Sequence, residues 1–320
     1  MKILYAACNR KGAQLQLGRF LSAVAKGEHQ IKLAGFNESC PGFYLDWTLD
    51  ALLDMFNLDH ISFDNDNLRT YFSQVKTFNP DLIISDLEIF SSHIGLVLNK
   101  PVWQVSPLLL YYGLNAVEKT NMGVYKNYSY IFNKQATIDD LIRNALMNAD
   151  KKFIYSHFGD ATSAELMEGF EWVRPYHVTG KTSIPCKHNV CAVTLRNEKK
   201  YINYLNKFSD TVLFSTNLDE EFAGVTLKDI SNLVEYGCNL KNCDLALNQG
   251  FTDLLADAFY NNKFSGILPD FSQAECVINA LYAEYLGLGK VIYQDEDIEA
   301  LEIKSSDNKL EFLHEKLKGM

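Results

Sequence analysis

The spacing of motifs in the last third of the chain most constrains what it can fold into. Cys243-Asp-Leu-Ala-Leu-Asn-Gln-Gly-Phe-Thr252 is followed by Asp257-Ala-Phe-Tyr-Asn-Asn-Lys263, Ile267-Leu-Pro-Asp270, Glu275-Cys-Val-Ile-Asn-Ala280 and Leu286-Gly-Leu-Gly289. An apolar strand over 245–247 breaks at a glycine and a helix opens, then a second apolar strand ends in Pro-Asp before another helix. Strand, loop and helix repeated in this way build a parallel sheet covered on both faces. Ligands of such sheets bind outside the carboxyl ends of the strands, where helix N-termini offer backbone N–H groups and a positive dipole end suited to a diphosphate.

The first half carries the same rhythm. Strands are expected at 2–7, 30–36, 60–63, 82–85, 102–105 and 153–157, and helices at 13–26, 48–56, 67–78, 91–98 and 138–149. Residues 107–135 interrupt it with Leu108-Leu-Leu-Tyr-Tyr112 and the later Tyr125, Tyr128, Tyr130 and Phe132. These aromatics read as packing of an irregular connection, with an acceptor-binding surface as the alternative. A boundary is expected in Arg174-Pro-Tyr-His-Val-Thr-Gly180-Lys-Thr-Ser-Ile-Pro185, which divides the chain into residues 1–178 and 179–320. The second part should run through strands 190–195, 211–215, 232–236, 244–247, 266–268 and 290–293 and close with a helix over 308–318. Two doubly wound α/β domains facing a cleft are therefore expected.

Composition narrows the function. A formal charge of −10 and a pI near 5.2 speak against a broad basic surface for nucleic acid or anionic lipid. No apolar run approaches the roughly 20 residues that cross a bilayer, and Met1-Lys-Ile-Leu-Tyr-Ala-Ala-Cys8 reads as a first buried strand rather than a signal peptide. Seven scattered cysteines suit a reducing cytoplasm, with peripheral membrane association left open. Cys186-x-His188-x-x-Cys191 lacks a zinc-type cysteine pair, and Asp64-Asn65-Asp66 and Asp295-Glu296-Asp297 lack the strand context of a metal-dependent transferase, so no metal is expected.

The order of the C-terminal motifs resembles the donor-binding half of GT-B glycosyltransferases, the group containing the lipid II N-acetylglucosaminyltransferase and related UDP-sugar transferases. The likeness covers residues 228–294 well and the rest in outline. It implies a GT-B fold of two Rossmann-like domains and transfer of a sugar from a nucleotide diphosphate sugar, with a UDP-sugar as the expected donor, to an acceptor hydroxyl. The sugar nucleotide would be a co-substrate, with no cofactor besides. The acceptor stays open among a glycan, a lipid, a small molecule and a modified nucleic-acid base. Two other readings remain: a nucleotide-sugar epimerase of the same fold, and a non-catalytic nucleotide-sugar binding module.

Candidate residues follow from these readings. Gly250 lets the backbone turn, so that the N–H groups of Phe251, Thr252 and Asp253 and the Thr252 hydroxyl face a diphosphate. The alternative is a plain turn capped by Thr252 or Asp253. The resemblance implies that Asp257 accepts from ribose hydroxyls and Glu275 from sugar hydroxyls. Asn248 stands where the family has His or Ser, and Cys276 where it has a sugar-binding Gln. On the first loop, Asn9-Arg10-Lys11-Gly12-Ala13-Gln14 replaces a Gly-rich segment ending in Gly-His. Arg10 and Lys11 would offset phosphate charge, with a solvated pair of surface charges as the alternative, and Gln14 cannot take a proton. Ser85-Asp86-Leu87-Glu88 resembles the Ser-Asp-Phe-Glu of one subgroup and sits at a strand end, which makes Asp86 the candidate base, with Glu88 and His93 as alternates. A helix cap is the competing reading of Asp86.

Overall fold

The computed structural model describes residues 1–7, 29–34, 66–123, 136–180, 188–194, 204–208, 210–215, 224–270 and 273–293. The helices expected at 13–26, 48–56 and 308–318, the strand at 60–63, and the candidates Arg10, Lys11, Gly12 and Gln14 lie outside the described residues. The chain divides into two compact units. One comprises Met1–Leu109, Lys134–Ile154 and Gly169–Glu171, and the other Leu110–Asn133, Tyr155–Glu168 and Trp172–Met320.

The first sheet contains β1 (Lys2–Ala7), β2 (Gln30–Ala34), β3 (Leu82–Asp86), β4 (Val102–Ser106), β5 (Lys151–Tyr155) and β6 (Phe170–Val173), in the order β2-β1-β3-β4-β5-β6. The pairs from β2 through β5 are parallel. Helices α1 (Asp66–Phe78) and α2 (Ile89–Val97) serve this sheet. One face packs Leu4, Ala6, Ile83 and Val102 against Tyr71, Val75, Phe78, Phe90 and Ile94 of those helices. The opposite face buries Ile3, Tyr5, Leu33, Leu82 and Ile84. Burial on both faces explains the unbroken apolar strands, because successive side chains point to opposite sides of the sheet. Residues 107–123 form two short helices, α3 (Leu109–Gly113) and α4 (Ala116–Asn121), and α5 spans Ala136–Met147. The strand β6, only four residues long and with no buried position, was not expected.

The second sheet contains β7 (Val190–Thr194), β8 (Thr211–Ser215), β9 (Val225–Asp229), β10 (Leu245–Asn248), β11 (Ser265–Ile267) and β12 (Gly289–Val291), in the order β12-β11-β10-β7-β8-β9. Every pair is parallel. Helices α6 (Leu233–Asn242), α7 (Thr252–Tyr260) and α8 (Ala274–Tyr285) accompany it. Tyr236, Leu240, Leu254, Ala258 and Cys276 of these helices cover Cys191, Val193, Val212, Phe214 and Ala246. The strand expected at 232–236 is instead the start of α6. Asn232 caps that helix by accepting from the Glu235 N–H at 3.2 Å, a local hydrogen bond that outweighs the apolar Leu233-Val234 pair. The strand of this region is β9, seven residues earlier by its first residue.

A 3₁₀ turn, His157–Asp160, packs on α7 and α8 within the second unit. The His157 ring lies against Phe158 and Phe259, with centroids 4.1 and 5.2 Å away, and Phe158 meets Tyr282 edge-on at 5.0 Å. His157 Nδ1 is buried without a hydrogen-bond partner. Burial pushes its pKa down from 6.5 to about 3, so the folded chain holds it neutral. The unfolded chain takes up the proton first as pH falls, so the stability this residue contributes is complete above 6.5 and drains away towards 3. Urea unfolding between pH 7.5 and 5 should therefore show a loss of roughly 1.4 kcal/mol per pH unit below the ordinary histidine value. His157→Phe should remove that component of the slope, and an identical slope in both proteins would refute it.

Candidate functional site

Both sheets place their switch points by topology. The second sheet, read from β9, runs β9-β8-β7-β10-β11-β12, the dinucleotide-binding order, and its chain reverses direction between β7 and β10. The carboxyl ends there are Thr194 and Asn248. In the first sheet the described strands reverse between β1 and β3, where Ala7 pairs with Asp86. Asp86 is 1% exposed. Asp86 and Asn248 thus end strands at the two positions where such sheets bind ligands.

At the end of β3 the chain turns through Leu87, whose φ of +52° is left-handed, an uncommon state for a bulky residue. Its N–H donates to Gln104 Oε1 at 3.3 Å, and the Glu88 N–H donates to Ser85 Oγ at 3.0 Å. Glu88 is the cap of α2: its Oε1 accepts from the Phe90 N–H at 3.0 Å and its Oε2 from the Ser91 N–H at 2.7 Å. Burial nevertheless raises its pKa, with the hydrogen bonds from Ser91 and Phe90 opposing the shift. The cap is therefore Glu88, and Asp86 is left outside that role. His93 is half-buried on α2. Gln104 and Ser92, joined at 2.7 Å, complete the turn, and neither was singled out from sequence because each signal is a lone polar residue in an apolar strand or helix.

At the end of β10 the loop Asn248–Phe251 is closed by its own groups. Asn248 Oδ1 accepts from the Gly250 N–H at 2.9 Å. Gly250 has φ +83°, and a Cβ on it would stand 2.5 Å from the carbonyl oxygen of Cys276. The first turn of α8 therefore lies directly on this glycine, and the missing side chain makes room for the helix. Asn279 Nδ2 donates to the Gly250 carbonyl at 3.0 Å and to Thr252 Oγ1 at 2.8 Å. The Thr252 N–H donates to Glu275 Oε1 at 3.4 Å. Neither Thr252 nor Asp253 caps α7; the cap position is Phe251, which has no side-chain cap bond. The Phe251 and Cys276 side chains are buried in the core beneath the sheet, so Cys276 is an apolar filler where a sugar-binding amide was the comparison.

The Asp253 and Asp257 side chains are hydrogen-bonded within the second unit. Asp253 Oδ1 accepts from Tyr155 Oη at 3.0 Å, and the same hydroxyl accepts from the Tyr176 N–H at 3.1 Å. Asp257, fully buried, accepts from the Val178 N–H at 2.6 Å. Asn261 donates to the Val178 carbonyl at 2.7 Å and accepts from the Gly180 N–H at 3.0 Å. Residues 253, 257 and 261 recur at helical spacing on one face of α7, and the chain over 176–180 is laced along that face. The carboxylate compared with a ribose ligand is thus a backbone acceptor for the connecting segment. Asn261 was the missed member; the four-residue repeat Asp253, Asp257, Asn261 was its signal. Among the described residues no group of three His, Cys, Asp or Glu side chains is placed to hold a metal ion, and no helix is long and apolar enough to cross a membrane.

Neither a protein-family profile nor a curated protein matches the sequence. Solved structures match the fold over nearly its whole length. Spinosyn forosaminyltransferase SpnP superposes with a TM-score of 0.63 at 13% identity, covering 99% of this chain and 95% of that one. Spinosyn rhamnosyltransferase SpnG in complex with thymidine diphosphate gives 0.61 at 10% identity, over 100% and 97%. The calicheamicin glycosyltransferase CalG4 gives 0.56 at 16% identity, over 99% and 94%. At such identities the likeness shows the fold, and that fold is the GT-B arrangement of two α/β units.

Two substitutions test this account without any ligand. Gly250→Ala combines a left-handed backbone with a clash against a helix carbonyl and should cost roughly 1–3 kcal/mol in denaturant unfolding. Asp257→Ala removes the carboxylate that receives the half-buried Val178 N–H and should cost about 1.5–3 kcal/mol, the range for a hydrogen bond to a charged group. Unaltered stability in either variant would refute the packing role given to that residue.

Proposed function

We propose that the chain is a glycosyltransferase that moves a sugar from a nucleoside diphosphate sugar to an acceptor hydroxyl without a bound metal ion. The observation that carries this reading is the near-complete match to GT-B glycosyltransferases, one of them described in complex with thymidine diphosphate and another, VinC, in complex with dTDP. The donor is held by the second unit at the β7/β10 switch point, with the diphosphate at the N-terminus of α7. UDP and TDP are the nucleotides to consider, the first from the resemblance of the C-terminal motifs to those of UDP-sugar transferases and the second from the nucleotides of these structures. A closer kinship with UDP-sugar transferases of the lipid II type belongs to the same proposal and rests on the motifs alone.

In this reading Asp86 takes the proton of the acceptor hydroxyl at the β1/β3 switch point. The hydroxyl oxygen bonds to the anomeric carbon, and the bond from that carbon to the diphosphate oxygen breaks. The departing charge is received by the helix dipole and N–H groups of α7, with Arg10 and Lys11 as further cations. Asp86 stands first because Glu88 is bound into the α2 cap. A second reading, a module that binds a sugar nucleotide without turning it over, is favoured by the commitment of Asp257 to Val178 in place of a ribose contact.

UDP or TDP at about 100 times its dissociation constant should raise stability by about 2.7 kcal/mol in a thermal-shift titration. No shift at millimolar nucleotide would sink the donor assignment. Asp86→Asn should lower turnover by a factor on the order of 100 while leaving donor affinity in place. Full turnover in that variant would remove Asp86 from the mechanism, and binding with no turnover by the parent protein on any acceptor would favour the module.

A further inference from the structure

A cavity of about 440 Å³, within the range of small-molecule sites, opens at the C-terminal end of α8. Tyr285 is the last residue of that helix and Glu275 lies in its first turn, so roughly 15 Å of helix separate the cavity from the loop at Gly250. The lining comes from three segments of the second unit: Asn115 and Glu118, residues 162–165, and Tyr285 with Leu286. Bonds within the chain hold these segments together. Leu114 bridges Leu166 as an antiparallel pair, and the Met167 N–H donates to the Gly113 carbonyl at 2.7 Å. Asn115 uses both arms of its amide: Oδ1 accepts from the Glu118 N–H at 2.9 Å, and Nδ2 donates to the Glu165 carbonyl at 3.4 Å. The Tyr282 hydroxyl joins the helix to Thr162 Oγ1 at 3.4 Å. The cavity is therefore framed without a ligand, and it stands whether or not the β7/β10 switch point holds a nucleotide.

Two acids, Glu118 and Glu165, line the cavity, and no lysine, arginine or histidine does. Glu118 Oε2 is shut off from solvent without a hydrogen-bond partner. A carboxylate oxygen left in that state is costly, and a charged donor is the partner that offsets the cost best. A metal ion fits poorly, because among the described residues no group of three His, Cys, Asp or Glu side chains is placed to hold one. Tyr285, 41% exposed, stacks on Tyr282 with ring centroids 5.9 Å apart and adds an open aromatic surface, which attracts an organic cation. Thr162 Oγ1 already accepts from the Ala164 N–H at 3.0 Å and from the Tyr282 hydroxyl, so its own proton is left to donate. A hydroxyl oxygen on the ligand would receive it. We propose that the cavity binds a small hydroxylated amine as its ammonium ion, with Glu118 as the counter-ion and Thr162 donating to a hydroxyl.

Isothermal titration of the full chain with glucosamine, and with glucose as its neutral counterpart, tests this. Glucosamine should bind about tenfold more tightly than glucose, the size of one charge-assisted hydrogen bond. Glu118→Gln keeps the shape, removes the charge and should abolish that preference. Ala164→Trp places a large side chain in the lining and should weaken glucosamine whatever the charge. Circular dichroism of both variants checks that the fold is kept. Equal affinity of the parent for the two sugars overturns the proposal, as does absence of glucosamine binding at millimolar concentration. An amine preference that survives in folded Glu118→Gln, or glucosamine affinity unchanged in folded Ala164→Trp, overturns it as well. No nucleotide enters these titrations, so each of those results leaves the donor assignment standing.

Discussion

The second unit depends on the polar face of α7. Asp253, Asp257 and Asn261 lace that helix to Tyr155 and to the chain over Tyr176, Val178 and Gly180. Gly180 in turn is packed so closely on α6 that a Cβ would stand on the carbonyl of Gly237, and a Cβ on Gly237 would meet Val178 as well as Gly180. The connecting segment has no strand partner of its own, so its N–H and C=O groups need side chains to receive them, because unpaired backbone groups are costly once buried. A buried carboxylate is a strong acceptor for a backbone N–H, which explains an acid with 0% exposure in the middle of α7.

Fixing α7 has consequences at its other end. The helix begins where β10 stops, and its first turn shares Asn279 and Glu275 with α8. The glycine between strand and helix is needed because two helices converge on it, one continuing the chain and one crossing over it. Close approach of backbone, rather than a turn alone, sets the residue at 250. The same convergence engages the loop's own groups: the Gly250 N–H with Asn248, the Thr252 N–H with Glu275, and the Gly250 carbonyl with Asn279. The fold fixes where β10 ends, and the residues around Gly250 decide how tightly the loop there is closed.

The α/β pattern was legible because strands buried on both faces leave long apolar runs, and β1, β3, β4, β8 and β10 all lie within two residues of their expected ends. Edge strands were harder. β6 and β9 have intermediate or exposed positions along them and so carry little apolar signal, while Leu233-Val234 suggested a strand where the Asn232 cap starts a helix. The roles of polar residues were less legible still. Asp257 and Glu275 are acids at family positions, and sequence spacing reports where an acid falls along a helix without reporting which backbone group lies opposite. Glu88 illustrates the same limit: two acids two residues apart gave no reason to assign the cap to the second. Only the turn between them does so.

That turn is also where the first unit separates two carboxylates that an extended strand would place on the same face, since side chains two residues apart point the same way. Leu87 enters the left-handed region at a cost of the order of 1–2 kcal/mol, and hydrogen bonds from its own N–H to Gln104 and from the Glu88 N–H to Ser85 hold it there. The reversal delivers Glu88 to the first N–H groups of α2, where the helix dipole favours its charge, and leaves Asp86 as the last residue of β3 beside Ala7. A glycine would make the turn more easily. Leu87 is itself almost wholly buried, so the apolar contact that a leucine brings to the end of the sheet offsets the backbone strain. The outcome is an acid at the switch point that no helix requires for its own termination.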